Sequence, residues 1–173
     1  MSTNMEVGIL ILRIVVGLLF AGHGAQKLFG WFGGWGMSGH SGMLEKMGLQ
    51  PARFWAWISA LSEFLGGLGL AFGLLTPFAA VALMGDMLFA IIKVHAPKGV
   101  WNTNGGFEYP LTLTAVAFVV GLTGPGVYSL DTALGLALPE PAVYLVALIV
   151  MLIVVIGALV AVPVVWRNAR RTT

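Results

Sequence analysis

Charged side chains are scarce in this chain. Nine basic and seven acidic residues serve 173 positions, so 9% of residues are charged while 58% are hydrophobic. Soluble domains carry roughly 25% charged residues, and sixteen charges cannot coat a water-soluble globule of this length. A lipid solvent removes the difficulty. There an apolar exterior costs nothing, provided every backbone polar group is satisfied inside a helix or a closed barrel. The mean hydropathy of +0.94 points the same way. The composition excludes a cytosolic enzyme, a disordered chain and a nucleic-acid-binding domain.

A bilayer core about 30 Å thick takes roughly 20 apolar residues per helix. Segments 7–29, 54–75, 78–95 and 142–166 supply such runs. A shorter fifth run, 110–122, opens with Pro110, a favoured first-turn residue, and is expected to begin near Glu108. The sequence therefore predicts an all-α, polytopic bundle of five spans. A Gly- and Trp-rich segment, 30–53, reads as a loop, as does the polar stretch 96–109. The first span reads as a retained helix rather than a secretory signal, since residues 1–6 carry no Lys or Arg and the apolar run is too long.

With five spans, one side of the membrane collects Lys27, Lys46, Arg53, Lys93, Lys98, Arg167, Arg170 and Arg171, leaving only Arg13 elsewhere. Basic residues concentrate on the cytoplasmic side, so the N-terminus is expected outside and the C-terminus in the cytoplasm. All six tryptophans (Trp31, Trp35, Trp55, Trp57, Trp101, Trp166) fall near the same boundary and read as an interfacial belt.

Ionisable groups inside a bilayer are costly and face a bundle interior or a wet cavity. Arg13, His23 and Lys27 lie within about 80° of arc on the first helix, at 100° per residue. Glu63 and Asp86 lie at one depth on consecutive antiparallel helices, each about 13 Å from a helix end. The simplest expectation is mutual pairing, Arg13 with Glu63 or Asp86, with Ser59 and Ser62 as further partners for Glu63. Lys27 would then snorkel to the interface. The alternative is a site: His23 and Lys27, one turn apart, suit an anion or a quinone carbonyl, and His95 approaches His23 from the third helix. Glu108 opens the fourth helix, where an acidic residue is favourable in any case.

Other chemistry has less support. His23, His95, Glu63 and Glu108 are ligand types for zinc or iron, but no local ligand spacing joins them, so no metal site is expected. Two histidines as haem ligands are a weaker alternative. There is no cysteine, hence no disulfide and no thiol nucleophile of the chain's own. No phosphate-binding loop or nucleophile elbow occurs. Gly17 and Gly24 on the first helix, and Gly66, Gly67, Gly69 and Gly73 on the second, suit close helix packing within the bundle or between copies.

Four stretches together resemble the DoxX family of small bacterial membrane proteins: RIVVGLLFAGHGAQKLFGWFGG from Arg13, SEFLGGLGLAFGLLTP from Ser62, HAPKGVWNTNGGFEYPL from His95 and GPGVYSLD from Gly124. The resemblance spans about residues 8 to 135. It implies a four-helix membrane domain over 1–135, with 136–173 as an additional transmembrane helix and basic tail. It further implies an inner-membrane location and an association with quinone-linked oxidoreduction and oxidative stress. Its motifs carry over His23, Lys27, Glu63, His95, Asn102, Asn104 and Glu108 as site candidates.

Three functional readings follow. In the first, a membrane redox component binds a quinone near the cytoplasmic boundary. There His23, Lys27 and Glu63 do the chemistry, His95, Asn102, Asn104 and Glu108 help hold the ligand, and a redox partner protein supplies electrons. In the second, the chain is a non-catalytic anchor or assembly subunit for a partner. In the third it is a small carrier using Glu63, Asp86 and Arg13, and self-associates to do so.

Overall fold

The apolar stripes resolve into one helical bundle in the computed structural model, which describes residues 2–136, 138 and 141–161. The Pro139-Glu140 step, Trp166 and the basic tail of Arg167, Arg170 and Arg171 lie outside the described residues. Every regular element among the described residues is helical: α1 (Thr3–Phe29), α2 (Gly36–Lys46), α3 (Ala52–Phe72), α4 (Thr76–Ala90), α5 (Glu108–Thr123), α6 (Leu130–Ala133) and α7 (Ala142–Ala161). Four helical stretches are long and apolar enough to cross a bilayer: α1, α3, α4 with its extension to Lys98, and α7. Helix α5, with 16 residues, reaches about 24 Å. The chain is an all-α polytopic bundle.

Helices α1 and α3 make the closest pair, and small residues are the reason. The side of α3 turned to α1 includes Phe64, Gly67 and Ala71. It meets the α1 face of Val16, Gly17, Phe20, Ala21, Gly24 and Ala25. A side chain at Gly17 would collide with the backbone of Gly67 and Ala71, and one at Gly24 with the backbone of Phe64. At Gly17, Gly24 and Gly67 the two backbones touch, as small-residue packing in membranes allows. The opposite faces of both helices carry exposed Ile11, Val15, Leu18, Leu19, Leu61 and Leu65, the surface that lipid covers.

The main core joins α1, α3, α4, α5 and α7 through Phe20, Leu70, Leu83, Val120, Tyr144, Met151 and Val155. Helix α7 is anchored by Tyr144, 1% exposed, whose hydroxyl donates to the Phe118 carbonyl at 3.3 Å. A tyrosine can be buried here because its hydroxyl finds that partner. A second, smaller cluster of Leu44, Leu49, Ala52 and Ala56, flanked by Met37, Met43, Met47, Trp55 and Phe89, seats α2 on α3.

Two sequence expectations need correction. The 30–53 segment is not simply a loop, for α2 occupies its middle. Its glycines hide a helix whose apolar side is short and rich in methionine. Arg13 does not pair with Glu63 or Asp86. It is fully buried and donates from Nη2 to the Tyr128 carbonyl at 2.6 Å, in the fields of Asp131 and Glu6. Asp131 in turn accepts from the backbone N–H groups of Leu75 (2.7 Å) and Thr76 (3.0 Å) and from the Thr76 hydroxyl (2.8 Å), closing the α3–α4 turn. Glu6 accepts from Val127 N–H at 2.9 Å. The intervening Gly73 has φ +63°, and a side chain there would strike the Arg13 guanidinium. Only glycine meets both conditions. Arg13 thus belongs to a separate polar cluster that holds segment 126–131 against the turn.

Candidate functional site

The remaining buried charges converge around Lys27. From the second half of α1 its ammonium reaches Glu63 Oε2 on α3 at 2.9 Å, Asp86 Oδ2 on α4 at 3.1 Å, and Ser59 Oγ on α3 at 2.8 Å. The Glu63 and Asp86 side chains are only 3% and 10% exposed. The two acids expected at one depth do share a site, and their cation is Lys27 rather than Arg13. The snorkelling expected of Lys27 is overturned: two carboxylates in low dielectric hold an ammonium more strongly than the interface attracts it. The contact to Glu63 is an ion pair whose angle does not make a hydrogen bond, so Glu63 Oε2 is buried without a hydrogen-bond partner among the described residues. With both acids ionised, the triad carries one uncompensated negative charge.

A histidine that sequence reasoning passed over completes the cluster. His40 on α2 is 5% exposed, and its Nε2 lies 3.2 Å from Ser59 Oγ. Burial foremost, and then the Lys27 ammonium, push its pKa down to about 4, against an opposing pull from Asp86. The ring is neutral at physiological pH. The available signal was periodicity: Met37, His40, Leu44 and Met47 recur at helical spacing within a segment that its glycines mark as loop.

His23, one turn before Lys27, faces another group. Its Nδ1 lies 3.0 Å from Gln26 Oε1, and Gln26 Nε2 donates to the Phe32 carbonyl at 3.2 Å. The amide orientation that satisfies Phe32 puts an acceptor beside Nδ1, so Nδ1 carries the proton. Nε2 is then free to accept from the Tyr109 hydroxyl at 3.3 Å. His95 makes no hydrogen bond to His23. Its Nδ1 donates to the Gly105 carbonyl at 2.7 Å, at the end of a widened helical turn, Ile91–His95, that extends α4. Such π-type turns recur at functional sites.

These groups line one cavity of about 1190 Å³. His23, Gln26, Lys27, His40, Glu63, Asp86, His95 and Tyr109 form its polar side. Met43, Met47, Trp55 and Phe89 flank them, and Val146, Val150, Val154 and Ala158 of α7 extend the wall as a purely apolar strip. Of the seven residues singled out by sequence, His23, Lys27, Glu63 and His95 meet in this cavity. Asn102 and Asn104 are exposed in the turn Asn102–Asn104, and Glu108 begins α5 outside the cavity wall. Among the described residues no group of three or more His, Cys, Asp or Glu is placed to hold a metal ion.

Comparison with known proteins gives the family. The family model described as DoxX matches residues 8–96. The protein named Putative oxidoreductase CatD of Bacillus subtilis is 33% identical over 131 residues, 76% of this chain and 90% of that protein. Inner membrane protein YqjF of Escherichia coli is 31% identical over 129 residues, 75% of this chain and 93% of that protein. No solved structure gives a significant match.

Proposed function

The chain belongs to the DoxX family, and we propose that it is the integral membrane component of a redox or oxidative-stress system, holding a quinone or related ring in the cavity beside Lys27. The observation that carries this reading is the cavity's division into one polar side and a long apolar strip on α7. A ring with polar oxygens and an apolar tail matches that division, as amphiphile sites generally do. The oxidoreductase name of one relative supports the redox class.

A bound quinone supplies a centre that takes up two electrons and two protons. Tyr109, whose hydroxyl lies 3.3 Å from His23 Nε2, would turn to donate to a ring oxygen, and His23 Nε2 would accept the O–H of the reduced ring. Lys27 already directs its ammonium at Ser59, Glu63 and Asp86, so it acts on the ligand through its field rather than by direct donation. Glu63, with one oxygen free of hydrogen bonds, would hold the proton exchanged with the ligand. His95 would contact the ligand from the end of α4. Asn102, Asn104 and Glu108 lie on the surface that a redox partner would meet. Any thiol chemistry belongs to that partner, because the chain has no cysteine. The bias of eight basic residues of nine to one side supports a cytoplasmic location for this end of the cavity.

The test is binding. Purified protein in lipid nanodiscs is titrated with a short-chain ubiquinone, following the quenching of tryptophan fluorescence; Trp55 lines the cavity. Saturable binding is expected, weakened about tenfold by His23→Ala or by Tyr109→Phe, the loss of one hydrogen bond. Absence of saturable quenching in the unaltered protein, or parental affinity in both variants, sinks the reading.

A further inference from the structure

His40, Ser59, Lys27 and Glu63 form a continuous chain of contacts, and we propose that this chain is a proton path, with His40 as the relay residue that joins the buried triad to water. It deepens the redox reading above, which needs protons at the ligand, but its geometry stands without a quinone.

The first two links are hydrogen bonds, and the third is an ion pair that a rotation of the Lys27 ammonium aligns for transfer. His40 Nε2 is 3.2 Å from Ser59 Oγ, Ser59 Oγ is 2.8 Å from Lys27 Nζ, and Lys27 Nζ is 2.9 Å from Glu63 Oε2. Each member both gives and receives a proton when its neighbours do. At the outer end, His40 Nδ1 has no hydrogen-bond partner among the described residues, and it is not among the buried atoms sealed from solvent. It is the ring nitrogen left to meet water. Helix α2, which carries it, is too short to span a bilayer and sits beside the exposed aromatic segment of Trp31, Phe32 and Trp35.

The transfer balances. A proton from water enters His40 at Nδ1. Lys27 first releases a proton to the Glu63 carboxylate, and the neutral amine then takes the Ser59 hydroxyl proton as the Nε2 proton of His40 passes to Ser59 Oγ. Ser59 and Lys27 end as they began, His40 returns neutral by the opposite tautomer, and Glu63 becomes a neutral acid. The charged groups that bear on His40 are Lys27 from α1 and Asp86 from α4. Because the ring rests neutral, its protonated form is transient and gives up the proton readily.

The experiment reads exchange directly. The unaltered full-length protein in nanodiscs is moved from H2O to D2O while infrared spectroscopy follows the protonated carboxyl band, assigned by its loss in Glu63→Gln. His40→Gln is expected to slow the shift of that band by about 100-fold, the usual weight of a positioned proton-transfer group. His40→Ala slows it likewise, and added imidazole restores the His40→Ala rate but not that of Ser59→Ala. A purely structural histidine would not show that rescue. Equal exchange rates in all variants, a slowed rate that imidazole leaves unchanged, or no Glu63 band at any pH at which the bundle stays folded overturns the path. A protein that binds no quinone yet shows the rescue retains the relay and loses only the ligand reading.

Discussion

Replacing Lys27 tests whether the buried charges hold one another in place. Its ammonium lies 2.9 Å from Glu63 and 3.1 Å from Asp86, and neither carboxylate is appreciably exposed. At an effective dielectric of about 20, each contact amounts to roughly 5–6 kcal/mol of Coulomb attraction before desolvation is subtracted. Lys27→Met keeps the apolar stem but leaves two carboxylates facing one another without a cation. Removing one partner from a buried ion pair costs about 3–5 kcal/mol, and the loss here is expected within that range. The triple variant Lys27→Met, Glu63→Gln, Asp86→Asn removes every charge at nearly constant volume, and most of the lost stability should return. The assay is the unfolding free energy of each variant in mixed detergent micelles, with helicity as the signal. A single variant as stable as the parent would refute the argument. So would a triple variant no more stable than the single one, because packing of the lysine stem would then be what joins α1 to α3 and α4.

Gly17→Ala and Gly24→Ala force a Cβ against the α3 backbone, which cannot yield, so each should destabilise the bundle by about 1–3 kcal/mol. Gly22→Ala, whose Cβ meets open space, should be neutral or slightly stabilising by the same unfolding measurement. His40 also predicts a pH dependence. Its folded pKa of about 4 lies below the ordinary 6.5, so the unfolded chain binds the proton first as pH falls. The contribution is fully present above pH 6.5 and is lost on the way down to pH 4, by about 3 kcal/mol in total. Melting temperatures across that interval should fall more steeply for the parent than for His40→Gln, and parallel curves would count against it. Asp131→Ala removes three hydrogen bonds from the α3–α4 turn. A loss of about 3 kcal/mol or more is expected, with faster amide exchange at Leu75 and Thr76.

Most of the architecture was legible because lipid imposes a length on apolar runs, and α1, α3, α4 and α7 obey it. The start of α5 at Glu108 was equally readable from the proline that follows. Partner choice among the buried charges was not. Arg13 and Lys27 share one side of α1, fourteen residues or about 21 Å apart, and sequence cannot say which of them meets the acids at the depth of Glu63 and Asp86. That is fixed by the helix offset, which the glycine contacts between α1 and α3 determine. Arg13 instead found a carbonyl in segment 126–131, a contact 115 residues distant in sequence. His40 escaped notice because helix α2 is amphipathic over only three turns, too few for its period to stand out from its glycines.

The latch formed by Glu6, Arg13 and Asp131 gives assembly a direction in time. Its partners on α1 and at the α3–α4 turn leave the ribosome early, whereas residues 126–131 follow 55 to 121 positions later. Through that interval Arg13 has no Tyr128 carbonyl to meet, and the Leu75 and Thr76 amides have no carboxylate. The early helices can enter the bilayer, yet they stay an unfinished hairpin carrying a buried cation. Completion waits for one short stretch of chain. A nascent product that stops short of it leaves Arg13 without the Tyr128 carbonyl and the Asp131 charge, with Glu6 as its remaining counter-charge.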